Sequence, residues 1–190
     1  MFFEKNDIDS ALEALNAGKI ILYPTDTIWG LGCDATNEKA VERIYTIKKR
    51  NDSKSMLVLL DNVNFLERYM DEVPEIAYDL IEVADKPLTI IYPSARNLAR
   101  NLIAADGSIG IRITREPFTQ KLLQRFRKPI VSTSANISGE PSPAIFADIS
   151  ESVRLQSDYI VNYRQDDTQP ASPSSIIKLG VSGQIEIIRK

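Results

Sequence analysis

Ile20-Ile-Leu-Tyr-Pro-Thr-Asp-Thr-Ile-Trp-Gly-Leu-Gly32 is the stretch on which the fold turns. Four apolar residues, Ile20 to Tyr23, run without a polar break and stop at Pro24, the pattern of a short buried strand. The residues after it are of another kind: two threonines, an aspartate and two glycines within nine positions. Pro, Asp and Gly together set a turn and relax the backbone. The same residues also stand at the C-terminal end of a strand, where open α/β sheets place their ligands. Composition leaves both readings open.

Working outward, helical and strand patterns alternate. Upstream, Ile8 to Ala17 repeats Ile8, Leu12 and Leu15 on one face, with Asp7 as candidate N-cap and Gly18 as C-cap. Downstream, Glu38 to Lys49 is the clearest helix: Ala40, Val41, Ile44, Tyr45 and Ile47 form its apolar side and Asn37 can cap it. Met56 to Leu60 reads as a strand, Asn62 to Met70 and Pro74 to Ala84 as helices, Leu88 to Tyr92 and Ile109 to Ile113 as strands. Pro117 to Phe126 is a helix with proline in its first turn, and Pro129 to Val131 a strand edge. Tyr159 to Tyr163, Ser175 to Leu179 and Ile185 to Ile188 are strand-like. Seven or eight strands with five or six helices predict a single α/β domain over residues 1–190, a twisted, mixed sheet with flanking helices.

The bulk properties narrow the function. A chain of 190 residues buries roughly 70% of its unfolded surface and needs no disulfide or metal to hold it. Its longest apolar runs, such as Met56 to Leu60, are too short to cross a bilayer, and the N-terminus lacks a secretory pattern. A lone cysteine, Cys33, in an apolar, Gly-flanked segment reads as a small buried side chain and fits a reducing compartment. A cytoplasmic protein with no membrane attachment is expected. The absence of histidine excludes Ser-His-Asp triads, Cys-His pairs and His-ligated metals. Catalysis is left to carboxylates, Lys and Arg, hydroxyls, backbone amides or a metal brought by a substrate. A net charge of −3 argues against a dominant nucleic-acid surface.

Three further segments carry chemistry. Lys48-Lys-Arg50 with Lys54 places cations at a helix C-terminus, where the dipole favours them, but their density also suits a phosphate clamp. Ser132-Thr-Ser-Ala-Asn-Ile-Ser-Gly139 reads as a loop, or as an uncharged set of donors and acceptors for a polar ligand. In Ser108-Ile-Gly-Ile-Arg112, an arginine within a strand pattern requires a partner, either a structural Asp or Glu or an anionic ligand. Arg189, near the end of the chain, reads as solvated.

Taken in order, Pro24-Thr-Asp-Thr-Ile-Trp-Gly-Leu-Gly32, Lys48-Lys-Arg50, Pro87-Leu-Thr89, Gly110-Ile-Arg112, Ser132-Thr-Ser-Ala-Asn136 and Ser172-Pro-Ser-Ser-Ile176 resemble the motifs of the YrdC-type (TsaC-like, short-form) L-threonylcarbamoyladenylate synthase family. The resemblance runs from about Ile20 to Arg189. It implies an open, twisted α/β sheet with a concave, positively charged ligand groove, in a YrdC-like domain without an added C-terminal domain. Thr27, Arg112, Ser134 and Ser174 would surround L-threonine, and Lys48, Arg50, Lys54, Ser108, Asn136 and Arg189 would hold ATP. No protein nucleophile is implied. Lys48 and Arg50 are the candidates for electrostatic catalysis, Asp26 is a base only by proximity, and Mg²⁺ arrives with ATP rather than on protein ligands. Bicarbonate or CO₂ is the third substrate, and a tRNA threonylcarbamoyl-transferase would take the product. The chain departs from the family at Asp26, where Glu is common, at Ala84-Asp-Lys86, at Asn51 and at Leu59. Two rivals remain: a double-stranded-RNA-binding or ribosome-associated module using the same groove, with weak RNA binding as the lesser form of that idea, and a paralogue acting on another nucleotide or amino acid.

Overall fold

The computed structural model describes residues 5–49, 56–180 and 183–190. In chain order the elements are α1 (Lys5–Asn16), β1 (Ile21–Tyr23), β2 (Gly30–Gly32), α2 (Glu38–Ile47), β3 (Leu57–Leu60), α3 (Leu66–Tyr69), α4 (Ile76–Val83), β4 (Leu88–Tyr92), β5 (Ile109–Ile113), α5 (Pro117–Phe126), β6 (Ile130–Ser134), α6 (Glu151–Gln156), β7 (Tyr159–Ile160), β8 (Ser175–Leu179) and β9 (Ile185–Arg189). The described strands form one mixed sheet in the order β7-β1-β2-β6-β3-β5-β4-β8-β9. β1–β7, β3–β5 and β4–β8 pair parallel; the other neighbours are antiparallel. No helix among the described residues is long and apolar enough to cross a membrane.

Strand side chains alternate between the faces of a sheet, and that alternation builds two cores. Leu22, Leu31, Val58, Leu60, Ile90, Ile111, Val131 and Ile177 point to one face and pack with α2 and α4. Ile21, Tyr23, Leu59 and Ile130 point to the other, under α1 and α5. The rest of this second face carries Gly30, Leu57, Thr89, Gly110, Arg112, Ser132, Ser134 and Ile176, in register with those residues. A face of mostly small and polar side chains, next to a stretch covered by apolar helices, is where the sheet offers a ligand room.

Several local expectations hold. The Asn37 side chain accepts from the backbone N–H of Lys39 and Ala40 at the start of α2. Gly18 ends α1 with φ +68°, its N–H bonding to Leu15 and that of Lys19 to Ala14, the left-handed helix ending that glycine permits. Others are corrected. The segment after Pro24 is more than a turn, because Gly30–Gly32 returns as β2 antiparallel to β1. Ser132 to Ser134 belong to β6 rather than to a loop, and β6 lies inside the sheet, not at its edge. The serines and threonine masked a strand because hydroxyls, which lower strand burial in a pattern count, here face a cavity. Tyr159 to Tyr163 shrinks to two residues of strand, and α6 was not read from the sequence at all.

Asp7 is also corrected. It sits within the first turn of α1 and is buried, where its carboxylate accepts from Tyr159 Oη (2.6 Å) and from the backbone N–H of Asn162 (3.0 Å) and Tyr163 (2.9 Å). Burial, then this carboxylate, push the Tyr159 phenol up to about 12. Asp7 thus ties α1 to the chain beyond β7 instead of capping its own helix. Asp7→Ala removes the acceptor shared by the Tyr159 hydroxyl and two part-buried N–H groups and is expected to cost about 2 kcal/mol, read as a lower urea midpoint with an unchanged slope.

Candidate functional site

The hairpin loop between β1 and β2 is fixed from within. Thr25 donates its only hydroxyl proton to Ile28 O at 2.8 Å and accepts from Thr27 N at 3.0 Å. Its Oγ1 also lies 3.0 Å from Thr27 Oγ1. Because the Thr25 proton is taken, Thr27 is the donor in that pair, and the remaining lone pairs of Thr27 are available as acceptors. From outside, Thr119 Oγ1 and Arg164 Nη1 each bond a loop carbonyl, Pro24 O and Thr25 O, at 3.0 Å.

Beside this loop the sheet opens into a cavity of about 160 Å³. Gly30, Leu57, Ser132 and Ile176 form part of its wall, from β2, β3, β6 and β8. Thr27, Arg112, Ser134 and Ser174 all line it, although 147 positions separate the first from the last (174 − 27). The four residues expected around one ligand are therefore brought together by four separate segments. Arg189 lines the same cavity. Its Nε donates to Ser174 O at 2.8 Å, so the side chain is pinned over the site although the residue stays exposed, as the sequence reading expected. Ile28, Trp29, Met56, Thr133, Ser142 and Pro173 complete the wall and were not assigned to a ligand from the sequence. Ser132 was within reach of that reading, since it lies two positions from Ser134 and a strand returns to the same face at that interval.

Arg112 is 3% exposed, and its Nε lies 3.1 Å from Oδ1 of Asp26. This is a charge contact rather than an aligned hydrogen bond. It answers the sequence question in favour of a structural acid, but only along one edge of the guanidinium. Among the described residues the far edge shows a single long contact, Nη2 to Thr25 Oγ1 at 3.5 Å. Burial, opposed by Asp26, lowers the Arg112 pKa; burial, then the charge of Arg112, lowers that of Arg189. Two guanidiniums thus repel across one cavity, and Arg189 has no acidic partner among the described residues. Such a site attracts an anion.

The expected nucleotide set separates. Arg50 and Lys54 lie outside the described residues. Lys48, 2% exposed, donates from Nζ to Ser134 O (2.5 Å), Asn136 O (2.7 Å) and Asn136 Oδ1 (3.2 Å). The Asn136 amide in turn donates to Glu140 O at 2.6 Å. Lys48 and Asn136 therefore hold the turn after β6 from behind and do not line the cavity. Ser108 is not on the cavity wall either; its hydroxyl and N–H are both held by Asp106 Oδ1, at 2.5 and 3.0 Å. Cys33 is fully buried and burial pushes its thiol up, as suits an inert side chain.

The chain and its fold have relatives among known proteins. A family model, Sua5_yciO_yrdC, described as telomere recombination, matches residues 13–190. A threonylcarbamoyl-AMP synthase of Pseudoalteromonas translucida is 34% identical over 186 residues, 96% of this chain and 97% of that one. Among solved structures, E. coli YciO superposes with a TM-score of 0.85 at 25% identity, over 98% of this chain and 90% of that one. P. abyssi Sua5 complexed with L-threonine superposes with a TM-score of 0.84 at 27% identity, over 94% of this chain. This chain spans 52% of that longer protein.

Proposed function

The chain belongs to the Sua5/YciO/YrdC family, and from that premise we propose that it is a threonylcarbamoyl-AMP synthase, joining L-threonine, bicarbonate or CO₂, and ATP with release of pyrophosphate. The observation that carries the reading is the convergence of Thr27, Arg112, Ser134 and Ser174 on one anion-attracting cavity. The curated relative of nearly equal length bears this activity in its name, and a longer relative has been solved with L-threonine.

In this reading the threonine amine adds to CO₂ to give a carbamate. A carbamate oxygen then attacks the α-phosphorus of ATP, and pyrophosphate leaves with the Mg²⁺ that accompanied the nucleotide. The open edge of Arg112 takes the threonine carboxylate as a fork. Thr27, polarised by Thr25 into an acceptor, faces the amine. Ser134 and Ser174 fix the remaining polar groups, and Arg189 stabilises the charge that builds on phosphate. Holding the reactants in one place contributes on the order of 7–11 kcal/mol, which is why no protein nucleophile is needed. Lys48 and Asn136 serve by shaping the turn that presents Ser134. Arg50, Lys54 and Ser108 remain the proposed outer contacts to the nucleotide. The product is an activated precursor for tRNA threonylcarbamoyladenosine, to be taken by a downstream transferase in the cytoplasm.

The buried positions of Lys48 and Arg112 count against an RNA-binding module, since cations 2% and 3% exposed cannot neutralise a phosphate backbone. Pyrophosphate release is expected to require threonine and bicarbonate together, with label from bicarbonate recovered in an adenylate. Release that continues without threonine refutes the proposal. RNA binding that persists at physiological salt, without threonine-dependent turnover, would favour the module instead.

A further inference from the structure

β4 sets Thr89 directly opposite Arg112 on the ligand side of the sheet. Yet Thr89 is 1% exposed and does not line the cavity. Its Oγ1 lies 2.8 Å from the Oγ of Ser174, which is 3% exposed and does line it. Each hydroxyl has one proton, and only one of the two protons can lie between these oxygens. Thr89 Oγ1 has no other hydrogen-bond partner among the described residues. If Ser174 were the donor, the Thr89 proton would be left buried without an acceptor, and an orphaned buried donor bears its full desolvation cost. Ser174 is not under that constraint, because its own proton can go to whatever occupies the cavity.

We infer that Thr89 is a positioning residue that donates to Ser174 and so makes Ser174 a hydrogen-bond donor toward an anionic oxygen of the ligand. Arg189 assists by holding the Ser174 carbonyl. The wall formed by Arg112, Ser174 and Arg189 then turns its protons toward the ligand, which suits the carboxylate or carbamate of the amino-acid substrate. Thr27, across the site, presents lone pairs. The buried threonines behind the wall thus give the cavity a direction, donors on one side and an acceptor on the other. This inference rests on the reaction proposed above.

The test is a double-mutant cycle. Thr89→Val keeps the shape and removes the proton; the KM for threonine is expected to rise about fivefold with the KM for ATP unchanged. Thr89→Ser restores the hydroxyl and should return a KM near that of the parent protein. Ser174→Ala should raise the KM by a similar factor, and adding Thr89→Val to it should raise it no further, because Thr89 acts only through that serine. Thr89→Ala, which relieves any crowding by valine, should show the same non-additivity. Additive losses, or a parent-like KM in Thr89→Val, overturn the inference. Calorimetric titration with threonine alone runs the same cycle on binding. A parent protein that binds threonine but releases no pyrophosphate refutes the reaction, while the binding cycle still decides the role of Thr89.

Discussion

Replacing Arg112 and Asp26 together by alanine is expected to raise the KM for threonine by roughly 100-fold, while the KM for ATP moves by less than about twofold. The paired substitution is chosen because each group is buried against the other. Removing Arg112 alone leaves an uncompensated carboxylate, and breaking a buried pair costs about 3–5 kcal/mol of stability. Removing both leaves no orphaned charge, so the loss that remains belongs to the ligand. Arg112→Lys separates charge from shape: the ammonium keeps the ion pair with Asp26 but cannot offer a second parallel donor to a carboxylate. Its KM for threonine should fall between those of the parent and the double variant. Initial rates over a threonine series at saturating ATP and bicarbonate provide the measurement. A double variant that folds and keeps the parent KM would show that Arg112 is only a structural partner of Asp26, and the threonine site would have to be sought elsewhere.

Gly32→Ala is expected to be the most destabilising single methyl in the sheet. A Cβ built at Gly32 lies 2.6 Å from Tyr23 Cε1, 2.8 Å from Val131 O and 3.0 Å from Ile130 Cγ2. The carbonyl cannot withdraw, because β6 is bonded on both sides by β2 and β3. Nor is the ring free, since Tyr23 is fully buried under α1 and α5 and its hydroxyl bonds Val131 O at 3.1 Å. Overpacking of this kind costs about 3 kcal/mol, which for a chain of this length lowers Tm by roughly 6–12 °C. Gly30→Ala provides the contrast two residues earlier on the same face. There the first neighbour is Ser132 Oγ at 3.2 Å, a side chain that can rotate, and the methyl enters the cavity. Its effect should fall on the threonine KM rather than on Tm. Equal melting of the two variants would mean that the β1–β2–β6 contact is looser than its geometry.

Local rules reached far in this chain. Period and punctuation alone located α2, α5, β3, β4, β5 and β8, because amphipathic spacing, Asn37 and Gly18 act within a few residues of themselves. The missing histidines excluded whole classes of catalysis, and the order of the six motifs carried the family. Rules of that range stop at contacts between distant segments. β2 was hidden because glycine has little strand signal of its own, and Gly32 earns its place only through Tyr23 and Val131. Lys48 looked like a free cation because nothing near it in sequence shows that Ser134 and Asn136 would surround its ammonium. Arg189 is exposed as read, but its bond to the Ser174 carbonyl was hidden because Ser174 is absent from its neighbourhood until β9 pairs with β8. The direction of the Ser174 proton depends on Thr89, 85 residues away. These features follow from a strand order in which β6 enters between β2 and β3, and β8 lies against β4. Composition and periodicity settle which faces must be buried, whereas only the packed sheet determines which side chains meet.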